Sequence, residues 1–319
     1  MPPDIPTIKL NNGISIPALG LGTYKLKHMT EEIVGAAIDA GYRLIDTSPV
    51  YNDNEVAVGR AVRDRIRKKV IKREDLIVVS KLWNSHHSEG EVLKACEKSL
   101  RYLSINYIDL YLINWPFGVK TKTKDNFKHQ EFNEFDTTTL EDVWRQMETC
   151  VSRGLVRSIG VSNFNSNQLQ RILDIANIKP VVNQIECSVR LPQTQLIQFC
   201  KERDVAVMGY RPLGAPGRAI ELTPEERRQV VLENHRLTSI GERYNKTVAQ
   251  VCLRYTVQLG VIPIVKTAEE ERLQENMNVF NFNLDIQDIE YIQTLHNDFR
   301  TMTYNSARKH PEYPFNTQF

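Results

Sequence analysis

Short apolar segments alternate with longer amphipathic segments along nearly the whole chain, and this alternation restricts the possible folds more than any other feature. Eight segments are rich in Val, Ile and Leu without strict apolar–polar alternation, which predicts strands buried on both faces. They are Ala18–Leu21, Arg43–Asp46, Leu76–Ser80, Ile108–Ile113, Val156–Val161, Val181–Gln184, Val205–Tyr210 and Val261–Lys266. A β-hairpin formed by Ile8–Leu10 and Ile14–Ile16 is predicted before them.

Helical patterns fill the intervals between these strands. Thr30–Ala40 has acidic residues in its first turn and stops at Gly41, and Thr223-Pro224 supplies a cap and a first-turn proline for a later helix. The other predicted helices are Asn54–Arg67, Glu89–Tyr102, Leu140–Arg153, Ser166–Ala176, Gln193–Arg203, Thr247–Gln258, Leu273–Val279 and Gln287–Phe299. Eight strand-then-helix units without a linker predict one (β/α)8 TIM barrel domain over residues 1–319.

A doubly wound parallel sheet has the same alternation and is the second fold considered. Its Gly-rich fingerprint G-x-G-x-x-G is missing, because Gly20 and Gly22 are followed by Lys25 at the third glycine position. Two segments, Phe117–Thr139 and Arg300–Phe319, are long for barrel loops, and long loops of this kind commonly shape binding sites.

Composition argues against several classes of function. The 319 residues include 41 basic and 39 acidic side chains, a net charge of +2, so neither nucleic acid nor an anionic membrane is expected as a partner. No apolar run approaches the roughly 20 residues of a membrane span. The five scattered cysteines, without a C-x-x-C pair, are typical of reduced thiols in a cytoplasmic protein and predict no metal site. A monomer is expected, since no coiled-coil pattern occurs.

Polar residues fall at the carboxyl ends of six of the eight predicted strands. They are Asp46, Lys81, Asn114, Ser162 with Asn163, Gln184 and Lys266. Strand ends generally need polar residues, so one or two would be unremarkable. Since barrel enzymes place their sites at this end of the strands, six contributions to one rim favour a functional site.

Three of the candidates, Asp46, Tyr51 and Lys81, could together form a general acid. A phenol has a pKa of about 10, which is high for proton donation at neutral pH. The Lys81 ammonium is expected to lower the pKa of Tyr51, and Asp46 is expected to compensate the cost of burying the lysine. Tyr51 would then protonate a carbonyl oxygen as hydride reaches the carbon. Any one of them alone would more often be a packing or surface residue.

Six motifs between residues 41 and 276 resemble those of the aldo-keto reductase family, and the resemblance runs in unbroken order from about residue 7 to residue 319. They are Gly41–Thr47 with Tyr51 and Asn54-Glu55, Ser80–Trp83, Tyr107–Ile113, Gly160–Phe164, Asn183–Glu186, and Ile264–Thr267 with Glu271-Arg272 and Glu275-Asn276. The resemblance implies a (β/α)8 barrel that binds NADPH or NADP+ in an extended form without a Rossmann domain. It also implies reduction of a small-molecule carbonyl to an alcohol.

The resemblance assigns roles to individual residues. The catalytic set would be Asp46, Tyr51, Lys81 and Asn114. The nicotinamide would stack on Tyr210, and its carboxamide would be bound by Ser162, Asn163 and Gln184. The remaining cofactor contacts near the ring and pyrophosphate would come from Gly22, Thr23, Tyr24, Asp46, Arg211, Leu213 and Gly214.

At the other end of the cofactor, Lys266, Thr267 and Arg272 would hold the adenosine 2′-phosphate. Two cations at that phosphate favour NADP(H) over NAD(H), because NAD lacks the group they would bind. Glu275 and Asn276 would reach the adenine or its ribose.

The sequence departs from the family at four positions. Asn114 replaces the usual histidine, so the group there can donate a hydrogen bond but cannot titrate near neutral pH. Arg211 replaces the usual serine and would either add a cation at the pyrophosphate or point to solvent. Val265 replaces a proline, and Tyr24 replaces a tryptophan found in some members.

Aromatic residues around these positions predict an apolar substrate pocket with a polar floor. The predicted substrate contacts are Tyr24, Tyr51, Trp83, Asn114, Trp115 and Phe117, although aromatic residues at a barrel rim can also serve packing alone. The resemblance places both long segments over the pocket mouth.

The sequence is compatible with three functions. The first is an NADPH-dependent reductase of aldehydes or ketones, motivated by Asp46, Tyr51 and Lys81. The second is an NADPH-binding barrel without turnover that acts as a sensor or partner subunit, motivated by Asn114. The third is a narrower reductase of a steroid-type ketone or of a carbon–carbon double bond.

Overall fold

The computed structural model describes residues 5–51, 54–120, 134–214 and 231–317. Eight parallel strands form a closed barrel in the order β3-β4-β5-β6-β9-β10-β11-β12. They are β3 (Gly20–Gly22), β4 (Leu44–Asp46), β5 (Ile77–Leu82), β6 (Ile108–Ile113), β9 (Val156–Ser162), β10 (Val182–Glu186), β11 (Ala206–Tyr210) and β12 (Val261–Val265). Each overlaps a predicted strand, so the predicted TIM barrel is confirmed.

A two-stranded hairpin of β1 (Thr7–Lys9) and β2 (Ser15–Pro17) precedes the barrel, as predicted. Its apolar side chains Leu10 and Ile16 belong to the same buried cluster as the inward-facing Leu44, Leu110 and Ile262 of three barrel strands. The hairpin therefore closes one end of the barrel, and the carboxyl ends of the strands remain at the other.

Ten α-helices lie among the described residues. They are α1 (Thr30–Ala40), α2 (Asn54–Arg67), α3 (Glu91–Leu103), α4 (Leu140–Ser152), α5 (Ser166–Ile175), α6 (Thr194–Lys201), α7 (His235–Tyr244), α8 (Val248–Gln258), α9 (Glu270–Met277) and α10 (Ile286–Gln293). The apolar faces of most of these helices pack on the outside of the barrel in one large buried cluster that includes Val34, Val62, Leu100 and Trp144. The helices α7 and α10 contribute Leu237 and Ile292 to a second cluster. None of the described helices is long and apolar enough to span a membrane.

The helix predictions need four corrections. Helix α7 was not predicted, although the side chain of Asn234 caps it by accepting a hydrogen bond from the Leu237 backbone N–H at 3.0 Å. Helix α3 begins two residues later than expected, because Gly90 has a left-handed φ of 73°. Helix α9 begins and ends earlier than predicted, and α10 ends well before Phe299. The helix start predicted at Thr223-Pro224 lies outside the described residues.

The long segment after β6 contains a short hairpin that the sequence did not predict, β7 (Val119–Lys120) paired with β8 (Glu134–Phe135). Most of the intervening loop lies outside the described residues. The C-terminal segment, residues 300–317, packs its Ala307 and Tyr313 into a cluster with Trp83, Trp115 and Phe117. Both long segments therefore meet at the carboxyl ends of β5 and β6.

Candidate active site at the barrel rim

The centre of the rim is a buried ion pair between Lys81, near the end of β5, and Asp46, at the end of β4. The Lys81 ammonium donates to both carboxylate oxygens of Asp46, at 2.8 and 2.7 Å, and to the carbonyl oxygen of Thr47 at 3.0 Å. The lysine side chain is 1% exposed and that of the aspartate 5%. The predicted partnership is therefore present.

Burial nevertheless lowers the pKa of Lys81, and the Asp46 carboxylate opposes that lowering. A lysine in this environment keeps its proton only because a carboxylate and a carbonyl accept all three of its N–H bonds. Asp46 also accepts a hydrogen bond from Gln184 Nε2 at 2.7 Å. One carboxylate thus connects strands β4, β5 and β10.

Tyr51 lies beside this pair, with its ring centroid 5.4 Å from the Lys81 ammonium nitrogen. Desolvation raises the pKa of Tyr51 well above its usual value, and the Asp46 carboxylate raises it further, while Arg211 opposes the change. The expectation that Lys81 lowers the pKa of Tyr51 is therefore wrong. The physical reason is that desolvation of the phenol outweighs the nearby charges. Asp46, which neutralises the ammonium and occupies its donors, raises the pKa further, so the phenol stays protonated.

Asn114 follows β6 and is 6% exposed. Its backbone N–H donates a hydrogen bond to the Leu82 carbonyl at 3.0 Å, and its backbone carbonyl accepts one from the Asn163 side-chain amide at 2.8 Å. Its side-chain amide has no hydrogen-bond partner among the described residues. The amide remains available as a donor on a fixed backbone.

A row of polar residues at the ends of β9, β10 and β11 lies next to the ion pair. Ser162 donates to the Gln184 carbonyl at 2.8 Å, and the Tyr210 hydroxyl donates to the Asn163 side-chain oxygen at 2.7 Å. Asn163 has a left-handed φ of 61°, a conformation that asparagine tolerates better than most residues. The structure therefore brings together the four residues predicted to contact a nicotinamide ring, Ser162, Asn163, Gln184 and Tyr210.

A positively charged region lies beyond β12. Burial lowers the pKa of Lys266, and the nearby charges of Lys25 and Arg272 lower it further, against the opposing effect of Glu269. Arg272 pairs with Glu269 at 2.9 Å, so two of the three cations lack a carboxylate partner among the described residues. Such mutual repulsion is relieved when an anion binds. Lys25, which the sequence reasoning did not assign, belongs to this cluster.

The other residues predicted to contact the adenosine part of the cofactor differ in their burial and hydrogen bonds. Thr267 is buried and its hydroxyl accepts from the Glu269 amide at 3.0 Å, and Asn276 is buried beside Tyr42. The Glu275 carboxylate accepts from Thr247, the cap of α8, at 2.6 Å. In this structure Glu275 therefore serves the helix packing around Thr247, while its predicted contact with adenine or ribose stays a prediction.

The backbone on either side of the ring site is shaped for close approach. Gly22 ends β3, where an added Cβ would lie 3.1 Å from Ile264, and Thr23 donates to the Asp46 carbonyl at 3.0 Å. After β11, the amide of Gly214 bonds the carbonyl of Arg211 at 2.9 Å and closes a turn around the half-buried Leu213.

Arg211 points toward the C-terminal segment and not into solvent. Its guanidinium donates to the Thr301 hydroxyl at 2.7 Å. The backbone amides of Thr301 and Met302 in turn donate to the two carboxylate oxygens of Glu186, each at 2.9 Å. Glu186 ends β10 and is 1% exposed, so one buried carboxylate fixes the segment to the rim. Glu186 belongs to one of the family motifs in the sequence, but its contact with the C-terminal segment was not predicted.

Aromatic side chains form one wall of the rim. Trp83, Trp115 and Phe117 are buried, and Tyr24 lies at the outer edge, 37% exposed, with its ring centroid 5.0 Å from that of Tyr51. The structure thus groups the predicted substrate residues around the Tyr51 phenol and the Asn114 amide. Within the described ranges, no group of three or more His, Cys, Asp or Glu side chains is arranged to hold a metal ion.

The chain matches a family model described as "Aldo/keto reductase family" over residues 18–297. It is 40% identical to the aldo-keto reductase family 1 member C23-like protein of Equus caballus over 319 residues, covering 98% of each chain. It is 38% identical to aldo-keto reductase family 1 member D1 of Mus musculus, covering 98% of this chain and 97% of the other.

Two solved structures are similar over nearly the whole chain. The aldose reductase of Schistosoma japonicum has a TM-score of 0.90 at 36% identity, covering 99% of this chain and 100% of the other. A Bombyx mori aldo-keto reductase in complex with NADP has a TM-score of 0.87 at 33% identity, covering 97% and 99%.

The ion pair predicts strongly non-additive effects on stability. Asp46→Asn and Lys81→Met should each lower the free energy of unfolding by about 3–5 kcal/mol, because each leaves an unpaired charge buried. The double variant should lose much less than the sum of the two. Urea unfolding followed by circular dichroism measures all three. The exposed pair Arg145–Asp142, at 2.8 Å, is the control and should show little coupling. Additive losses at Asp46 and Lys81 would contradict the expected interdependence.

Proposed function

The chain belongs to the aldo/keto reductase family, and on this premise we propose that it reduces a small-molecule carbonyl to an alcohol with NADPH. The observation that carries the proposal is a network in which Gln184 and Lys81 both donate hydrogen bonds to Asp46. Tyr51 lies directly beside this network. These residues place a protonated phenol next to the residues proposed to position a nicotinamide ring.

The proposed role of Tyr51 is to give its proton to the carbonyl oxygen. NADPH supplies the hydride when bound. Addition of hydride leaves an alkoxide, which is a stronger base than an ordinary phenolate and accepts the proton of the phenol. The raised pKa of Tyr51 also means that the donor is present at every physiological pH. Lys81 and Asp46 neutralise each other's charge. Asn114 is proposed to donate an amide N–H to the carbonyl oxygen of the substrate.

The residues of the rim fit the chemistry of NADPH. Ser162, Asn163 and Gln184 present amide and hydroxyl groups suited to a carboxamide, and Tyr210 presents an aromatic ring. At the other end, Lys266 and Arg272 present cations suited to a 2′-phosphate, and burial together with the charges of Lys25 and Arg272 lowers the pKa of Lys266. We propose Lys25 as a further cation for the phosphates.

Asn114 supports a second candidate, a barrel that binds NADPH but does not turn over a carbonyl. The amide lies where the family usually has histidine, and it cannot gain or lose a proton near neutral pH. The backbone of Asn114 is hydrogen-bonded at both its N–H and its carbonyl, which suits either role.

Replacing Tyr51 tests the proposed reaction. Tyr51→Phe should reduce the rate of NADPH oxidation with an aromatic aldehyde by at least ~10²-fold, because the proton donor is lost. Tyr102→Phe is the control, since this tyrosine lies on α3, is 43% exposed and belongs to none of the predicted contacts, and it should retain the activity. The wild-type kcat should show no loss up to about pH 10, the ordinary pKa of tyrosine, because the raised pKa keeps Tyr51 protonated. Unchanged activity in Tyr51→Phe would refute the acid role.

Replacing Asn114 with histidine separates the two candidate functions. A reductase should turn over a carbonyl in the wild type, and the variant should change the rate by no more than about 10²–10³-fold, the usual effect of one positioned donor. NADPH consumption with aldehydes, sugars and ketones measures this. Tight NADPH binding without wild-type turnover, and activity only in Asn114→His, would instead establish the binding protein.

Removing one cation tests the cofactor preference. Lys266→Met should weaken NADPH binding about 10–100-fold, as expected for loss of a charge-assisted bond to phosphate, and should leave NADH binding nearly unchanged. Fluorescence titration with both nucleotides measures the two constants. Lys246→Met, another lysine near the barrel exterior, is the control. Equal weakening of both nucleotides would show that Lys266 does not read the 2′-phosphate.

A further inference from the structure

The side chain of Asn54, the first residue of α2, lies buried between the loops that follow β3 and β4. It is 1% exposed, and its Nδ2 donates to the backbone carbonyl of Thr23 at 2.6 Å. Its Oδ1 accepts from the hydroxyl of Thr30, the first residue of α1, at 3.0 Å, and the same hydroxyl is shared with the Lys27 carbonyl at 2.7 Å. One amide therefore joins the start of α2 to two points of the loop between β3 and α1.

Thr23 connects this contact to the end of β4. Its hydroxyl and its backbone N–H both donate to the backbone carbonyl of Asp46, each at 3.0 Å. Thr23 is completely buried, so these hydrogen bonds and the one from Asn54 are made away from water. The Asn54 amide is thereby linked, through one threonine, to the residue whose carboxylate pairs with Lys81.

The same two loops carry residues proposed to act in the reaction. Tyr51 lies three residues before Asn54, and Tyr24 directly follows Thr23. The two tyrosine rings meet at the rim with centroids 5.0 Å apart, so the loops contact each other there and again at the Asn54 amide. Because Tyr51 is the proposed proton donor and Thr23 a predicted cofactor contact, the Asn54 bond joins the loop of the proton donor to the loop beside the cofactor.

We propose that Asn54 is a positioning residue for proton transfer, which it supports by holding the loop of Tyr51 to the backbone carbonyl of Thr23. In this role it contacts neither the substrate nor the cofactor. A displacement of about 1 Å at a reacting group can lower a rate by ~10²-fold, so a bond that fixes this loop matters for the reaction. The inference rests on the proposed carbonyl reduction and adds to it a residue outside the predicted site.

Asn54→Asp is the sharpest test, because it keeps the shape of the side chain and the acceptor for Thr30 but loses the N–H donor to Thr23. Its kcat for 4-nitrobenzaldehyde at about pH 8 should be at least ~10-fold below that of the wild type. Burial raises the pKa of the introduced carboxyl, and its protonated form can donate to the Thr23 carbonyl. The ratio of variant to wild-type kcat should therefore recover as the pH is lowered to about 5.

Two further variants serve as comparisons. Asn54→Ala lacks both polar groups and should lose kcat at every pH without recovery, while its Kd for NADPH changes much less than its kcat. Asn234→Ala removes the cap of α7, so it should lower the melting temperature and leave kcat unchanged. Circular dichroism verifies that all variants are folded at the assay temperature. An unchanged kcat in Asn54→Ala, or equal losses in both Asn54 variants at every pH, would overturn the proposal.

Hydrogen exchange distinguishes failure of this inference from failure of the proposed reaction. If the wild type reduces no carbonyl, the proposed function fails, and exchange followed by mass spectrometry then decides the role of Asn54. In Asn54→Ala, the backbone amides of residues 20–26 and 46–51 should exchange at least ~10-fold faster than in the wild type, and those of α7 should not change. Asn234→Ala should show the reverse. Wild-type exchange rates in both segments of Asn54→Ala would overturn the positioning role.

Discussion

The ion pair between Lys81 and Asp46 is the interaction on which the rest of the site depends. Burying either charge alone would be prohibitive, and each is tolerated because the other lies 2.7 Å away with good hydrogen-bond geometry. The pair fixes the ends of two neighbouring strands, and through Gln184 it reaches a third on the far side of the rim. A reactive phenol can then occupy the centre of the barrel mouth without an uncompensated charge beside it.

The two ends of the rim have opposite electrostatic character. At the centre, Lys81 is neutralised, so desolvation dominates and keeps Tyr51 protonated. Beyond β12, burial lowers the pKa of Lys266 and the neighbouring cations lower it further, and an anion would relieve their repulsion. The charge of Lys81 is compensated at the centre of the rim, whereas the cations beyond β12 are compensated only in part. A molecule with a neutral reactive end and a highly anionic far end matches this pattern, which agrees with the proposed cofactor.

Much of the fold and site was readable from the sequence, because buried parallel strands leave continuous apolar segments and strand ends meet at one rim. Asp46, Lys81 and Gln184 were therefore predictable as neighbours. Helix α7 was missed because its cap, Asn234, follows a region without a clear periodic pattern. The role of Glu186 was not predictable, since it depends on Thr301, more than a hundred residues away. The direction in which the Tyr51 pKa shifts was also not predictable, since it depends on which groups accept the hydrogen bonds of Lys81.

The architecture separates chemistry from substrate choice. The groups proposed for proton transfer lie on or directly beside barrel strands, whose positions are set by ladders of backbone bonds and by the packed barrel core. The C-terminal segment, which stacks Tyr304 on Trp115, is held to the rim by the buried carboxylate of Glu186. A substitution in this segment should therefore change the aromatic wall without moving Lys81 or Asp46. Asn114 differs from both cases, because its backbone is hydrogen-bonded into the rim while its amide is proposed to meet the substrate, so a change there should alter both chemistry and fit.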